Sequence, residues 1–181
     1  MNEKETKKIS KFLSLVLRHK PEKIGITLDA QGWTSIEGII EASNLKLDLE
    51  KIVEVVKLNN KQRFSISEDG ERIRANQGHS VDVDLELNAC APPEKLFHGT
   101  AIRFIDSILK TGLASKNRNH VHLSADVETA AAVGRRHGKL VMLEINAALM
   151  NDEGHAFFLS ENGVWLCKHV PPSFINQIES S

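Results

Sequence analysis

The chain has 181 residues, 41% of them hydrophobic and 26% charged, with a net charge of −1. That composition suits one large or two small packed domains and is too apolar for a disordered chain. Two cysteines exclude a disulfide framework and a four-thiolate zinc site. No apolar run approaches the roughly 20 residues a bilayer needs, and the charged start, residues 1–8, lacks the apolar stretch of a signal peptide. A cytoplasmic protein with no membrane partner is the expectation. Residues 1–80 carry 14 Lys and Arg against 12 Asp and Glu, and the remainder 9 against 12. Neither half has the basic excess of a protein that coats a nucleic-acid backbone, so any nucleic-acid contact is expected to be local, at a few phosphates.

In chain order, a helix is predicted from Lys7 to His19, with Ile9, Phe12, Leu13, Val16 and Leu17 on one face and Pro21 ending it. At about 100° per residue Arg18 projects opposite that stripe and His19 lies on its flank. A second helix is predicted at Thr34, opened by a Thr34-Ser35-Ile36-Glu37 capping box, with Ile36, Ile39 and Ile40 inward. A third follows Asp48 as N-cap, its stripe Leu49, Ile52, Val53 and Val56. The period then changes to two over Arg63–Ile66 and Arg72–Arg74, around a Glu68-Asp69-Gly70 turn. Three short helices followed by a hairpin is the order of a winged helix, a module that often docks on nucleic acid.

Val81, Val83, Leu85 and Leu87 alternate with Asp82, Asp84 and Glu86, and Pro92-Pro93 breaks the chain. The predicted division is therefore a lobe over residues 1–80, a connecting segment over 81–95 and a second lobe over 96–181. In the second, strands are expected at 96–100, 120–124, 140–145, 156–159 and 164–167, with Glu161-Asn162-Gly163 as a turn. Helices are expected at 101–111, with Ile102, Ile105, Ile108 and Leu109 inward, and at 126–137, with a polar loop over 113–119. The fold class is α+β with a mostly antiparallel sheet in this half.

Neither G-x-G-x-x-G nor G-x-x-x-x-G-K-[ST] is present. Gly134-Arg135-Arg136-His137-Gly138-Lys139 has the wrong spacing and lies late in a helix, where the dipole repels phosphate, so Arg135 and Arg136 read as a solvated face. His120-Val121-His122 on a strand offers two imidazoles on one face. They are either a metal pair or a pocket histidine beside a solvent-facing one, and without acidic or thiol ligands at a matching spacing no metal is expected. His98-Gly99-Thr100 leads from a strand into a helix, where the glycine lets a ligand approach the backbone; an ordinary turn reads the same way. Leu17-Arg18-His19-Lys20-Pro21 gathers three cations at a helix end, which suits either the helix dipole or an anion site.

Taken together, several strings resemble the RNA 2′-phosphotransferase family of the KptA type across nearly the whole chain. They are Leu17-Arg18-His19-Lys20-Pro21, residues 25–33, Arg63-Phe64, Ile73-Arg74-Ala75-Asn76-Gln77-Gly78-His79-Ser80, residues 96–100, residues 118–124, residues 133–138, Asp152-Glu153-Gly154-His155 and Asn162-Gly163-Val164-Trp165-Leu166. The resemblance implies a winged-helix RNA lobe joined to an ADP-ribosyltransferase-like NAD lobe. It also implies transfer of an internal RNA 2′-phosphate to NAD⁺, by way of an ADP-ribosylated RNA phosphate. The products are ADP-ribose 1″,2″-cyclic phosphate, nicotinamide and RNA with a 2′-hydroxyl. By resemblance Arg18, His19, Arg63 and Arg118 act on the phosphate, and His98, Gly99, Thr100, His122 and Ser124 bind NAD⁺. The partners implied are a tRNA-like RNA and NAD⁺, with no obligate protein partner. Gln62 departs from the lysine or arginine common in relatives. Many ADP-ribosyltransferases carry a catalytic glutamate on a late strand; Gly163-Val164-Trp165-Leu166 has none, which suits a phosphate that is already an anionic nucleophile. The rival activities are ADP-ribosyl transfer to protein or nucleic-acid ends, NAD sensing without turnover, and metal-dependent hydrolysis.

Overall fold

A computed structural model describes residues 1–179, in two compact units, Met1–Glu86 and a second beginning at Leu87. The last two residues of the predicted 96–181 lobe lie outside the described residues.

In the first unit, α1 (Glu3–Arg18) starts earlier than its apolar period suggests, because Asn2 caps it by accepting from the Glu5 amide. Leu13, Val16 and Leu17 are fully buried and Ile9 nearly so. At roughly 1.5–3 kcal/mol for each large side chain, this face outweighs the weak propensity of the charged first turn. Thr34 does not cap the second helix. Thr34–Ser35 is a two-residue strand, β1, and Ser35 caps α2 (Ile36–Ala42) by accepting from Gly38 N–H. Asp48 caps α3 (Leu49–Lys57) as expected, but its buried face is Ile52 and Val55, while Leu49 is exposed. The hairpin of β2 (Phe64–Ile66) and β3 (Arg72–Ala75) turns at Gly70, whose φ of 76° belongs to the left-handed region. The sheet order is β1-β3-β2, antiparallel throughout. Residues 81–86 complete this unit: Val83 is buried and Asp84 N–H bonds the Ala30 carbonyl, while Asp82, Asp84 and Glu86 stay exposed. The expected acidic outer face is thus present.

In the second unit, β4 (Lys95–Ala101) pairs over its full length with β7 (Leu140–Asn146), and β11 (Ile175–Ile178) flanks β7. A second sheet runs β6-β9-β8 (Val121–Leu123, Trp165–Cys167, Phe158–Leu159). It meets β4 where Phe97 and Ser124 exchange both backbone hydrogen bonds, at 2.8 and 2.9 Å. All pairings are antiparallel, so the chain is α+β. The helix predicted at 101–111 is a 3₁₀ turn, Ile102–Phe104, followed by α4 (Ile105–Thr111); Ile108 is buried but Ile102 and Leu109 are exposed. The expected loop at 113–119 opens with β5 (Leu113–Ala114), paired to β10 (His169–Val170). Alternation cannot register in two residues, and α6 (Ala147–Asp152) and β11 were likewise without a legible period. The helix that begins with Asp126 as N-cap is α5 (Val127–Gly134), continued by a 3₁₀ turn over Arg135–His137. No described helix is long and apolar enough to cross a membrane.

Candidate active site

In the first unit the segment after β3, residues 76–80, gathers the predicted cations. Ser80 N–H donates to the Arg18 carbonyl at 2.9 Å, which closes one of the carbonyls left open at the end of α1. Arg18 does not stand out into solvent as its helical angle suggested. It is half-buried, its guanidinium 5.9 Å from the centre of the buried Phe64 ring. Gly78, with φ of 89°, passes so near that a side chain there would begin 3.5 Å from Arg18 Nη1. His19 follows as the helix C-cap, and its Nδ1 lies 2.9 Å from Ser80 Oγ.

Arg63 precedes β2. Its carbonyl accepts from Asn76 N–H and its Nη1 donates to Asn59 Oδ1 at 3.3 Å. Asn76 is buried and works in three directions: its side chain also donates to the Gln62 carbonyl and accepts from Ser65 Oγ. Gln62, the departure noted in the sequence, has φ of 42° at the tight turn into β2. Thus Arg18, His19 and Arg63 are all tied, by backbone or side chain, to residues 76–80.

The same region contains residues to which no role was assigned from sequence. His79 is 3% exposed, and burial, reinforced by the positive charges of Arg18, His19 and Arg74, pushes its pKa down to about 4. It is therefore neutral at pH 7, and among the described residues its Nε2 has no hydrogen-bond partner. Arg74 lies 4.6 Å from the Trp33 ring centre and Arg72 5.6 Å. A small polar run directly after an arginine-bearing strand was the available signal; the contacts themselves join residues far apart in the chain.

In the second unit, Arg118 begins from a tight turn in which its N–H bonds the Ser115 carbonyl, and its Nη1 is 2.7 Å from His122 Nδ1. Arginine only donates, so His122 accepts at Nδ1 and carries its proton on Nε2. His98 has the opposite tautomer: its Nδ1–H donates to the His122 carbonyl at 3.0 Å, leaving Nε2 as an acceptor. Burial lowers the His98 pKa, His137 adding to the effect, so the ring is neutral.

Gly99 has a structural reason of its own. A Cβ there would lie 2.0 Å from the Ala130 carbonyl oxygen and 3.1 Å from Gly134 Cα, so α5 fills the space a ligand was expected to use. The backbone edge is a different matter. Phe97 turns its N–H and C=O toward Ser124, and by strand alternation Gly99 turns its own to that same side of β4, away from β7. Thr100 is buried and pairs with Val141. His120 packs edge-on to Phe158, and Arg135 and Arg136 are exposed. Among the described residues, no three His, Cys, Asp or Glu side chains are grouped to hold a metal ion.

Residues 4–169 match the family model described as RNA 2′-phosphotransferase, Tpt1 / KptA family. This chain belongs to that family. It is 52% identical over 182 residues to a protein of Hahella chejuensis, covering 99% of this chain and 98% of the relative. It is 53% identical over 180 residues to one of Acaryochloris marina, at 98% and 99% coverage, and 54% identical over 177 residues to one of Rhodopirellula baltica, at 96% of each. All three relatives are described as "probable RNA 2′-phosphotransferase". The matched span contains Arg18, His19, Arg63 and Arg118.

Proposed function

We propose that this chain removes an internal 2′-phosphate from a tRNA-like RNA by transferring it to NAD⁺, as a cytoplasmic enzyme. The unit Met1–Glu86 serves as a winged-helix RNA lobe, and the unit beginning at Leu87 as an ADP-ribosyltransferase-like NAD lobe. Arg18, His19, Arg63 and Arg118 bind the phosphate. The observation that carries this reading is the cation set of the first unit: Arg18 and His19 face a buried histidine held neutral, and residues 76–80 tie both to Arg63. Cations collected at the cost of mutual repulsion are favoured by a multiply charged anion, and arginine forks match phosphate oxygens two at a time.

In the first step a phosphate oxygen displaces nicotinamide from the ribose C1″. The phosphate is an anion already, so positioning matters more than a base. In the second step the 2″-hydroxyl attacks phosphorus and the RNA 2′-oxygen leaves. Arginines neutralise the charge that builds on the phosphoryl oxygens, the attacking hydroxyl gives up its proton to solvent, and His19 donates the proton that the leaving oxygen takes up. His98, Gly99, Thr100, His122 and Ser124 bind NAD⁺. The Nε2 acceptor of neutral His98 and the edge amide and carbonyl of Gly99 suit the carboxamide and hydroxyl groups of a pyridine dinucleotide.

The test is an oligonucleotide with one internal 2′-phosphate, incubated with and without NAD⁺. NAD⁺-dependent appearance of nicotinamide and 2′-hydroxyl RNA is expected. A substrate left unchanged in the presence of NAD⁺ would contradict the reading.

A further inference from the structure

We propose that Ser80 is a positioning residue for His19, holding its imidazole in the form protonated at Nδ1 so that Nε2 is the nitrogen presented to the substrate. The proposal rests on the function given above, in which His19 donates a proton to the leaving RNA oxygen.

Ser80 is fixed before its hydroxyl acts. Its N–H donates to the Arg18 carbonyl at 2.9 Å, and the next amide, of Val81, reaches the same oxygen at 3.4 Å. The end of α1 and the strap over it are thereby locked together by backbone alone. With that anchor in place, Ser80 Oγ lies 2.9 Å from His19 Nδ1 and 3.4 Å from the Arg18 carbonyl oxygen. A hydroxyl has one proton. Turned toward the carbonyl, which can only accept, it leaves its lone pairs to the ring, and His19 Nδ1–H donates to Ser80 Oγ. Turned toward the ring instead, it would abandon the carbonyl and leave the imidazole proton on Nε2.

The first arrangement survives a proton transfer. In the imidazolium both nitrogens carry protons and Nδ1–H donates to Ser80. When Nε2 gives up its proton, Nδ1 keeps its own and the same bond persists. The ring then neither rotates nor exchanges tautomer during the reaction. An oriented base or acid with its second nitrogen anchored is the logic of a histidine held by a third group. The anchor here is neutral, so it orients the ring without placing a charge beside it. Neutral His79 on the neighbouring position adds no charge of its own, and Arg18 and Arg74 hold the region positive.

Because the backbone anchor does not involve the hydroxyl and Ser80 is exposed, Ser80→Ala is expected to fold normally. Two readouts separate positioning from structure. In long-range ¹H–¹⁵N spectra of the imidazoles, wild-type His19 in its neutral form should carry its proton on Nδ1. Ser80→Ala should shift it toward Nε2, and Ser80→Thr should keep the wild-type pattern. In single turnover with a 2′-phosphorylated oligonucleotide and NAD⁺, Ser80→Ala should slow decay of the ADP-ribosylated RNA by about 10-fold, the equivalent of one lost hydrogen bond. It should also displace the pH profile of that step with little change in KM for RNA, and Ser80→Thr should restore both. A wild-type His19 protonated at Nε2 overturns the proposal, as does an unchanged tautomer and pH profile in Ser80→Ala. A wild-type protein without turnover overturns the function itself, and with it the role of His19. Normal turnover that Ser80→Ala leaves untouched overturns the assignment of Ser80 alone.

Discussion

In the first unit the predicted phosphate-binding cations hang on one irregular segment, and oxygens orient them: Ser80 Oγ beside His19 and Asn59 Oδ1 at Arg63. In the second unit Arg118 is oriented by an imidazole nitrogen, and the histidine that supplies it receives a further bond, from His98, at its carbonyl. There the candidate residues sit on or beside β4 and β6 and inherit their positions from strand register. Side chains held by a strap can be lost without unfolding their unit, whereas changes along β4 reach the core of theirs.

The largest effects separate chemistry from fold. Arg18→Ala, Arg63→Ala and Arg118→Ala are each expected to lower turnover by roughly 10²–10³-fold, the scale of removing one donor from a developing oxyanion. Lysine should rescue none of them well, because it lacks the bidentate fork. Arg18→Ala and His19→Ala should impair the second step more than the first, so ADP-ribosylated RNA builds up. Rapid-quench analysis checks this, and an intermediate that never accumulates in either variant would refute that division of roles. Circular dichroism should find the first unit intact in both.

Gly99→Ala should behave in the opposite way. The added methyl meets the Ala130 carbonyl backbone, which cannot rotate aside, so a loss of at least about 1–3 kcal/mol is expected in denaturant titration. Gly134→Ala should do the same from the α5 side, its Cβ falling 2.7 Å from the Gly99 carbonyl carbon. Gly25→Ala, with nothing within 4 Å, should cost only the strain of its φ of 71°.

These contrasts also mark what a sequence can and cannot say. The stripe of α1 and the Asp48 cap were legible because each is settled within a few neighbouring residues. Thr34 reads as a cap in the sequence but belongs to a strand, because its partner, Ile73, lies across a sheet. Gly99 looked like an opening for a ligand, and only the packing of α5 shows why no side chain fits there. Arg18 and His19 were ambiguous for the same reason: their neighbours in sequence explain a helix end, while the contact from Ser80 to His19 spans 61 positions. The neutral state of His79 depends on burial and on Arg18, His19 and Arg74, none of which a motif encodes.

A smaller effect follows from His79. Its folded pKa, about 4, lies below the ordinary 6.5, so between those values the unfolded chain binds more protons. Stability is therefore full above pH 6.5 and falls as pH drops toward 4, by up to on the order of 3 kcal/mol. Equilibrium unfolding across that range should flatten in His79→Gln; an equally steep fall would assign the slope elsewhere, with His98, lowered in the same direction, the next group to replace. The smallest effect concerns the thiols. Cys90 is exposed, whereas burial pushes Cys167 up to about 12. An alkylating reagent should modify the native protein once, at Cys90, and reach Cys167 only on unfolding.

In the proposed reaction the phosphate leaves the RNA for NAD⁺ and not for water. Labelling the phosphorus of a single internal 2′-phosphate and following it in the presence of NAD⁺ tests this most directly. The label is expected in ADP-ribose 1″,2″-cyclic phosphate, with an equal amount of nicotinamide released. Label recovered as inorganic phosphate, or retained on the RNA, would contradict it.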